Sequence, residues 1–160
     1  MRLKFIKDED TVNYKKISMF LGAISCTWKC CMEAGCSPDL CQNEPWSREP
    51  IKDYPVADVV KRYMDNPLTE AVVIGGLEPF DCFEEWFEFC CEFRKVSNDP
   101  IVFYTGYNYE EVPQIAATLA YYIPNVIIKW GRYIPNSKSR YDEVLGITLA
   151  SDNQYAEVIS

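Results

Sequence analysis

The sequence predicts an α/β fold with a mostly parallel sheet, and three observations predict it. Short apolar runs that end in glycine recur along the chain, at EAVVIGG, IVFYTG and NVIIKWG. Segments with apolar residues at helical spacing lie between them. No internal repeat, low-complexity tract or Gly/Ser linker divides the chain. Strand, helix, strand, helix, strand is the pattern of parallel strands joined by right-handed crossovers. The 160 residues match about one domain, so residues 1–160 are read as a single domain.

The elements follow in order. SMFLGAIS (18–25) is apolar, bounded by polar residues, and delivers the chain to Cys26. VADVVKRYMDN (56–66) sets Val56, Val59, Val60 and Tyr63 at helical spacing, with Pro55 ahead as a start signal. EAVVIGG (70–76) reads as a buried strand ending in a glycine turn. FEEWFEFCCEFRKV (83–96) places Phe83, Trp86, Phe87, Cys90 and either Cys91 or Phe93 on one helical stripe. IVFYTG (101–106) is a strand, EEVPQIAATLAYY (110–122) a helix and NVIIKWG (125–131) a third glycine-ended strand. The last segment, EVLGITLASDNQYAEVI, adds a strand or two at an edge.

Ligands in such folds collect where the C-terminal ends of the strands meet the loops. Four loops leave those ends, beginning at Cys26, Gly75-Gly76, Thr105-Gly106 and Gly131-Arg132. The first carries CTWKCCMEAGCSPDLCQN (26–43), which holds Cys26, Cys30, Cys31, Cys36 and Cys41, five of the eight cysteines. Cys82, Cys90 and Cys91 sit at or on an aromatic helix and are assigned to the core.

Composition limits the chemistry. A hydrophobic content of 48% and an aromatic content of 14% fit a folded chain. A net charge of −8 with no basic patch argues against nucleic acid as a partner. The apolar runs are too short to span a bilayer, and RLKFIKDEDTV after Met1 lacks an apolar signal core. The expectation is a cytoplasmic protein with no membrane association, whose thiols stay reduced. A disulfide framework is therefore disfavoured, and clustered cysteines point to metal or redox chemistry. Histidine is absent, which removes the usual general base, every Cys–His nucleophile and the mixed Cys/His zinc sites.

The strand running into the cysteines, Cys41-Gln42-Asn43, GGLEP (75–79), YTGY (104–107), GRYIP (131–135) and ASDNQ (150–154) follow one another in fixed order. This set resembles the radical S-adenosylmethionine enzymes, and among them the activating proteins of anaerobic ribonucleotide reductases. The resemblance implies a radical S-adenosylmethionine-like partial (β/α) barrel. It implies a [4Fe-4S] cluster on three thiolates, S-adenosyl-L-methionine on the fourth iron, and reductive cleavage to a 5′-deoxyadenosyl radical. The implied partners are a large glycyl radical enzyme and an electron donor such as flavodoxin or ferredoxin. The family spaces its cysteines C-x-x-x-C-x-x-C, and Glu33 stands where the third would fall. Taking Cys41-Gln42-Asn43 as the counterpart of the family's Cys-Tyr-Asn assigns Cys26, Cys30 and Cys41 as ligands, with Cys36 or Cys31 the alternatives for the third.

The same resemblance implies that Gly75 and Gly76 hold the methionine amino group, with Glu78 as a nearby acceptor. Tyr104, Thr105 and Gly106 join them at the cofactor. Asn43 either contacts the ligand or caps the loop, and Trp28 either shields the cluster or packs. Arg132 and Ser151 to Gln154 are expected on the ribose or carboxylate side. Two alternatives stay open: a radical S-adenosylmethionine protein with another substrate, and a zinc-binding module in which Cys26–Cys30 and Cys36–Cys41 pair.

Overall fold

A computed structural model describes all 160 residues. The chain begins with β1 (Arg2–Leu3), β2 (Ile6–Asp10) and β3 (Ser18–Gly22). The cysteine segment contributes α1 (Lys29–Glu33) and α2 (Glu44–Arg48), followed by β4 (Lys52–Asp53) and α3 (Val56–Met64). Strands and helices then alternate as β5 (Ala71–Gly75), α4 (Phe83–Arg94), β6 (Ile101–Tyr104), α5 (Pro113–Tyr122) and β7 (Val126–Trp130). Strands β8 (Arg140–Asp142), β9 (Ile147–Leu149) and β10 (Tyr155–Val158) complete the chain.

Six strands form one mixed sheet in the order β10-β7-β6-β5-β3-β2. Strands β3, β5, β6 and β7 are mutually parallel, and β2 and β10 flank them antiparallel. The fold is therefore α/β, and the sheet is open and does not close into a barrel. Each parallel strand is laid beside the one before it. All three crossover helices pack on one face: Val59 and Tyr63 of α3, Trp86, Phe89 and Phe93 of α4, and Leu119 of α5 meet Met19, Leu21, Ile74, Phe103 and Ile128 of the sheet.

The opposite face buries Ala71, Val73, Val102 and Ile127 beneath Tyr14, Leu145 and Leu149, the last two carried by the β8–β9 hairpin and its turn. Burial on both faces explains why β5 and β6 read as unbroken apolar runs instead of alternating ones.

Local signals set the element ends. Glu84 and Glu85 occupy the first turn of α4 and Arg94 its last, as the helix dipole favours. Arg94 donates to the carbonyls of Ser97, Asp99, Pro124 and Asn125, tying the end of α4 to the approaches of β6 and β7. Pro113 starts α5, where its missing N–H costs nothing. Glu110 and Glu111, expected inside that helix, belong instead to a separate 3₁₀ turn over Tyr109–Glu111. The final segment supplies β10 at the sheet edge, but β8 and β9 pair only with each other. Strand β2 carries four charges in five residues and a bulge between Lys7 and Asp10, as suits an edge strand, and had no apolar signature to reveal it. No helix is long and apolar enough to cross a membrane.

Gly22 ends β3 against the Phe5 ring: a Cβ built there would lie 2.5 Å from ring carbons. That ring packs on Trp46 of α2 at 4.3 Å between centroids. Gly22→Ala is expected to lower stability by roughly 1–3 kcal/mol, the usual cost of overpacking. Urea unfolding measures it, and an unchanged midpoint would show that Phe5 yields freely.

Candidate functional site

The four parallel strands end together on one rim, where their loops continue the sheet's hydrogen bonding. Ala23 N–H donates to the Gly75 carbonyl (2.8 Å), Glu78 N–H to Ser25 (2.8 Å), Thr105 N–H to Lys129 (3.0 Å) and Gly131 N–H to Tyr107 (3.0 Å). Above this rim lies an open cleft of about 240 Å³. Cys26, Thr27, Lys29 and Cys30 line its cysteine side, and Glu78, Gly106, Tyr107 and Arg132 face them.

Glu78 is the buried acid of the cleft. Its Oε1 accepts from Phe80 N–H (3.1 Å) and the Thr105 hydroxyl (2.8 Å), and its Oε2 accepts from Gly106 N–H (2.8 Å). Burial outweighs these bonds and pushes the carboxyl up to about 7. Lys129 is also buried, donating from Nζ to the Gly131 carbonyl at 2.8 Å; desolvation pulls it down to about 8 against the attraction of Glu78. Lys129 was not singled out from the sequence, though a cation inside the apolar run VIIKW was a readable signal.

Two polar ties hold the start of the cysteine segment over the cleft. Asp81 accepts from Thr27 N–H (3.1 Å) through one oxygen and from the Tyr107 hydroxyl (2.7 Å) through the other. Arg132 grips Glu111 through both terminal nitrogens, at 2.6 and 2.7 Å, and Lys29 pairs with the same carboxylate. Glu33 approaches Arg132 Nε to 2.9 Å, at an angle that leaves this buried nitrogen without a hydrogen bond. Asp81 carried no sequence signal, and the Asn108…Glu111 spacing signals only a local capping box, because the ties of both acids to the cysteine segment and to Tyr107 and Arg132 run to partners 20 or more positions away.

A second pocket of about 290 Å³ adjoins the first and is lined by Cys30, Cys31, Cys36 and Cys41 with Leu40, Tyr133 and Pro135. Cys30 belongs to both pockets. Cys30 and Cys31 sit on the short helix α1 instead of the expected continuous loop. All eight cysteines are free thiols. Burial raises Cys26 to about 12, and burial with the neighbouring Cys30 and Cys36 thiols raises Cys31 to about 12. Burial also raises Cys41, partly offset by hydrogen bonds from the backbone N–H groups of Asn43 and Glu44. No three side chains among Cys, Asp and Glu converge closely enough to hold an ion. Loading a metal here would displace protons and draw the thiols together.

The other expected residues fall around this centre. Gly75 is buried in β5, where a Cβ would meet Tyr104 Cβ at 2.9 Å, and Gly76 turns the chain at φ +80°. Neither lines the cleft. Tyr104 turns toward the hairpin-covered face and donates its hydroxyl to the Asn13 carbonyl at 2.5 Å. Thr105 and Gly106 serve Glu78. The side chain of Asn43 makes no capping bond at α2. Asn153 Nδ2 donates to the Arg132 carbonyl (2.9 Å) and Gln154 Nε2 to that of Gly131 (3.2 Å), so ASDNQ braces the β7 turn from behind. Trp28 is half-buried at φ 57°, Cys90 is core, and Cys82 and Cys91 are half-buried.

A carboxyl held above its ordinary value keeps its proton in the folded chain after the unfolded chain has released it. The Glu78 contribution to stability therefore falls as pH rises from about 4.5 to about 7 and is level above that. Glu78→Gln escapes this loss. Measured by urea unfolding at pH 5 and pH 8, the variant is expected to gain on wild type by roughly 2–3 kcal/mol across the interval. A constant difference would mean that Glu78 stays ionised throughout.

Comparison of the chain with protein-family models, with curated proteins and with solved structures found no match.

Proposed function

We propose that the chain is a radical S-adenosylmethionine protein that holds a [4Fe-4S] cluster through Cys26, Cys30 and Cys41. In this reading it cleaves S-adenosyl-L-methionine reductively to a 5′-deoxyadenosyl radical. That radical activates a glycyl radical enzyme, with anaerobic ribonucleotide reductase as the partner. The observation that carries the reading is the placement of Cys26 and Cys30 on the same cleft as Glu78 and Gly106, with Cys41 in the pocket that shares Cys30. The donor set fits: five free thiols and no imidazole lie at the rim, and soft thiolates are the ligands such clusters take.

When bound, the cluster supplies the low-potential electron, delivered by a donor such as flavodoxin or ferredoxin. The chain's own residues bind and orient. Glu78, fixed by Thr105 and the Gly106 N–H, presents a carboxylate suited to an ammonium group. Tyr107 and Arg132 line the cleft on the same side as Glu78, facing the cysteines. The open sheet, with its stepwise strand order and helices on one face, is read more finely as a partial (β/α) barrel, which leaves the rim accessible to a macromolecular substrate. The setting in this reading is cytoplasmic.

One observation favours a second reading, a zinc module without radical chemistry: Cys30, Cys31, Cys36 and Cys41 line a single pocket. Anaerobic reconstitution with iron and sulfide separates the two. About four irons per chain are expected, with a paramagnetic signal after dithionite reduction that changes on adding S-adenosyl-L-methionine. Ala at Cys26, Cys30 or Cys41 should abolish the cluster, whereas Cys91→Ala should retain it. Stoichiometric zinc without a cluster would overturn the radical reading.

A further inference from the structure

We propose that Glu111 is the positioning residue of the cysteine segment, fixing where α1 presents Cys30 to the cleft. Between Thr27 and Pro50 only Cys31 is buried, so the hydrophobic core does little to hold this stretch. Its far end is anchored separately, by Lys4 Nζ on the carbonyls of Ser47 (2.9 Å) and Glu49 (2.6 Å) and by Phe5 against Trp46. On the α1 side the charged ties run through one carboxylate. Glu111 takes both terminal nitrogens of Arg132 and the ammonium of Lys29, and Arg132 in turn faces Glu33. Lys29 precedes Cys30 by one residue and Glu33 follows it by three, so the network brackets that cysteine on its helix.

The network is placed to be strong. The Arg132 side chain is 9% exposed and Glu111 23%, so water screens this pair far less than the surface pairs of the molecule. Arg132 and Lys29 pull the Glu111 carboxyl well below its ordinary range. Glu111 itself stands on a fixed base, because its Oε2 also accepts from Asn108 N–H (2.9 Å) in a capping box at the turn before α5. Glutamine serves equally in a capping box, so Glu111→Gln removes the charge and spares the cap.

The consequence for cluster binding rests on the reading of Cys30 as a ligand, but the positioning itself does not. The test therefore uses the reduced, metal-free full chain. Alkylation of each cysteine by iodoacetamide is followed by peptide mass spectrometry, with Cys91 on α4 as internal reference. Glu111→Gln is expected to speed Cys30 alkylation roughly fivefold, the factor for about 1 kcal/mol of lost local closure. Cys91 should be unchanged. Glu111→Asp, which keeps the charge, should fall between wild type and the glutamine variant. High salt should speed Cys30 in wild type and do little more in Glu111→Gln. Asp65→Asn, which breaks the exposed Lys61–Asp65 pair, should leave Cys30 at the wild-type rate. An unchanged Cys30 rate in Glu111→Gln, or an equal rise in Asp65→Asn, would overturn the proposal. Neither result would touch the cluster assignment, which stands or falls on the iron analysis.

Discussion

Burial of the four parallel strands on both faces is the constraint on which the rest of this structure depends. A parallel strand sheltered on both sides gives up water along its whole length, so its backbone groups must pair with neighbouring strands. Stepwise addition of β5, β6 and β7, with α3, α4 and α5 on one face, meets that demand and aligns four strand ends on one rim. Hydrogen bonds between neighbouring loops extend the register past the strands. Glu78, Gly106 and Arg132 are therefore placed by the ladder itself.

The rim buries charge, and it does so in compensated form. Glu78 has three donors and lies near the cationic Lys129, which is itself held by a backbone carbonyl. An isolated charge at either position would be costly, and removing one partner leaves the other exposed to that cost. Burial thus holds the Glu78 carboxyl above its ordinary value despite its three hydrogen-bond donors.

The cysteine segment obeys different rules. Its helices are one to two turns long, too short to persist without tertiary support, and only one of their side chains is buried. What holds them is a small number of polar ties at each end. The middle, which carries Cys36 and Cys41, relies on its own turns: Ser37 caps a 3₁₀ turn over Pro38–Leu40, and the Cys41 carbonyl accepts from Glu44 N–H. The thiols of Cys30, Cys31, Cys36 and Cys41 accordingly line one pocket without converging on a single point.

The sequence by itself determined the alternation of strands and helices, because apolar runs and helical stripes are local patterns that burial imposes directly. It also marked the strand ends, since Gly76 and Gly131 adopt positive φ where the chain turns away from the sheet. The cysteine cluster and the Glu78 loop were legible as clusters of chemistry. Edge strand β2 was not, because its exposed face carries charges that erase the apolar signal. Only the tertiary structure decided that Glu33 meets Arg132 and that Glu111 joins Arg132 and Lys29. Those pairings join residues separated by 21 to about 100 positions, and no local period encodes a contact made only when the sheet brings its loops together.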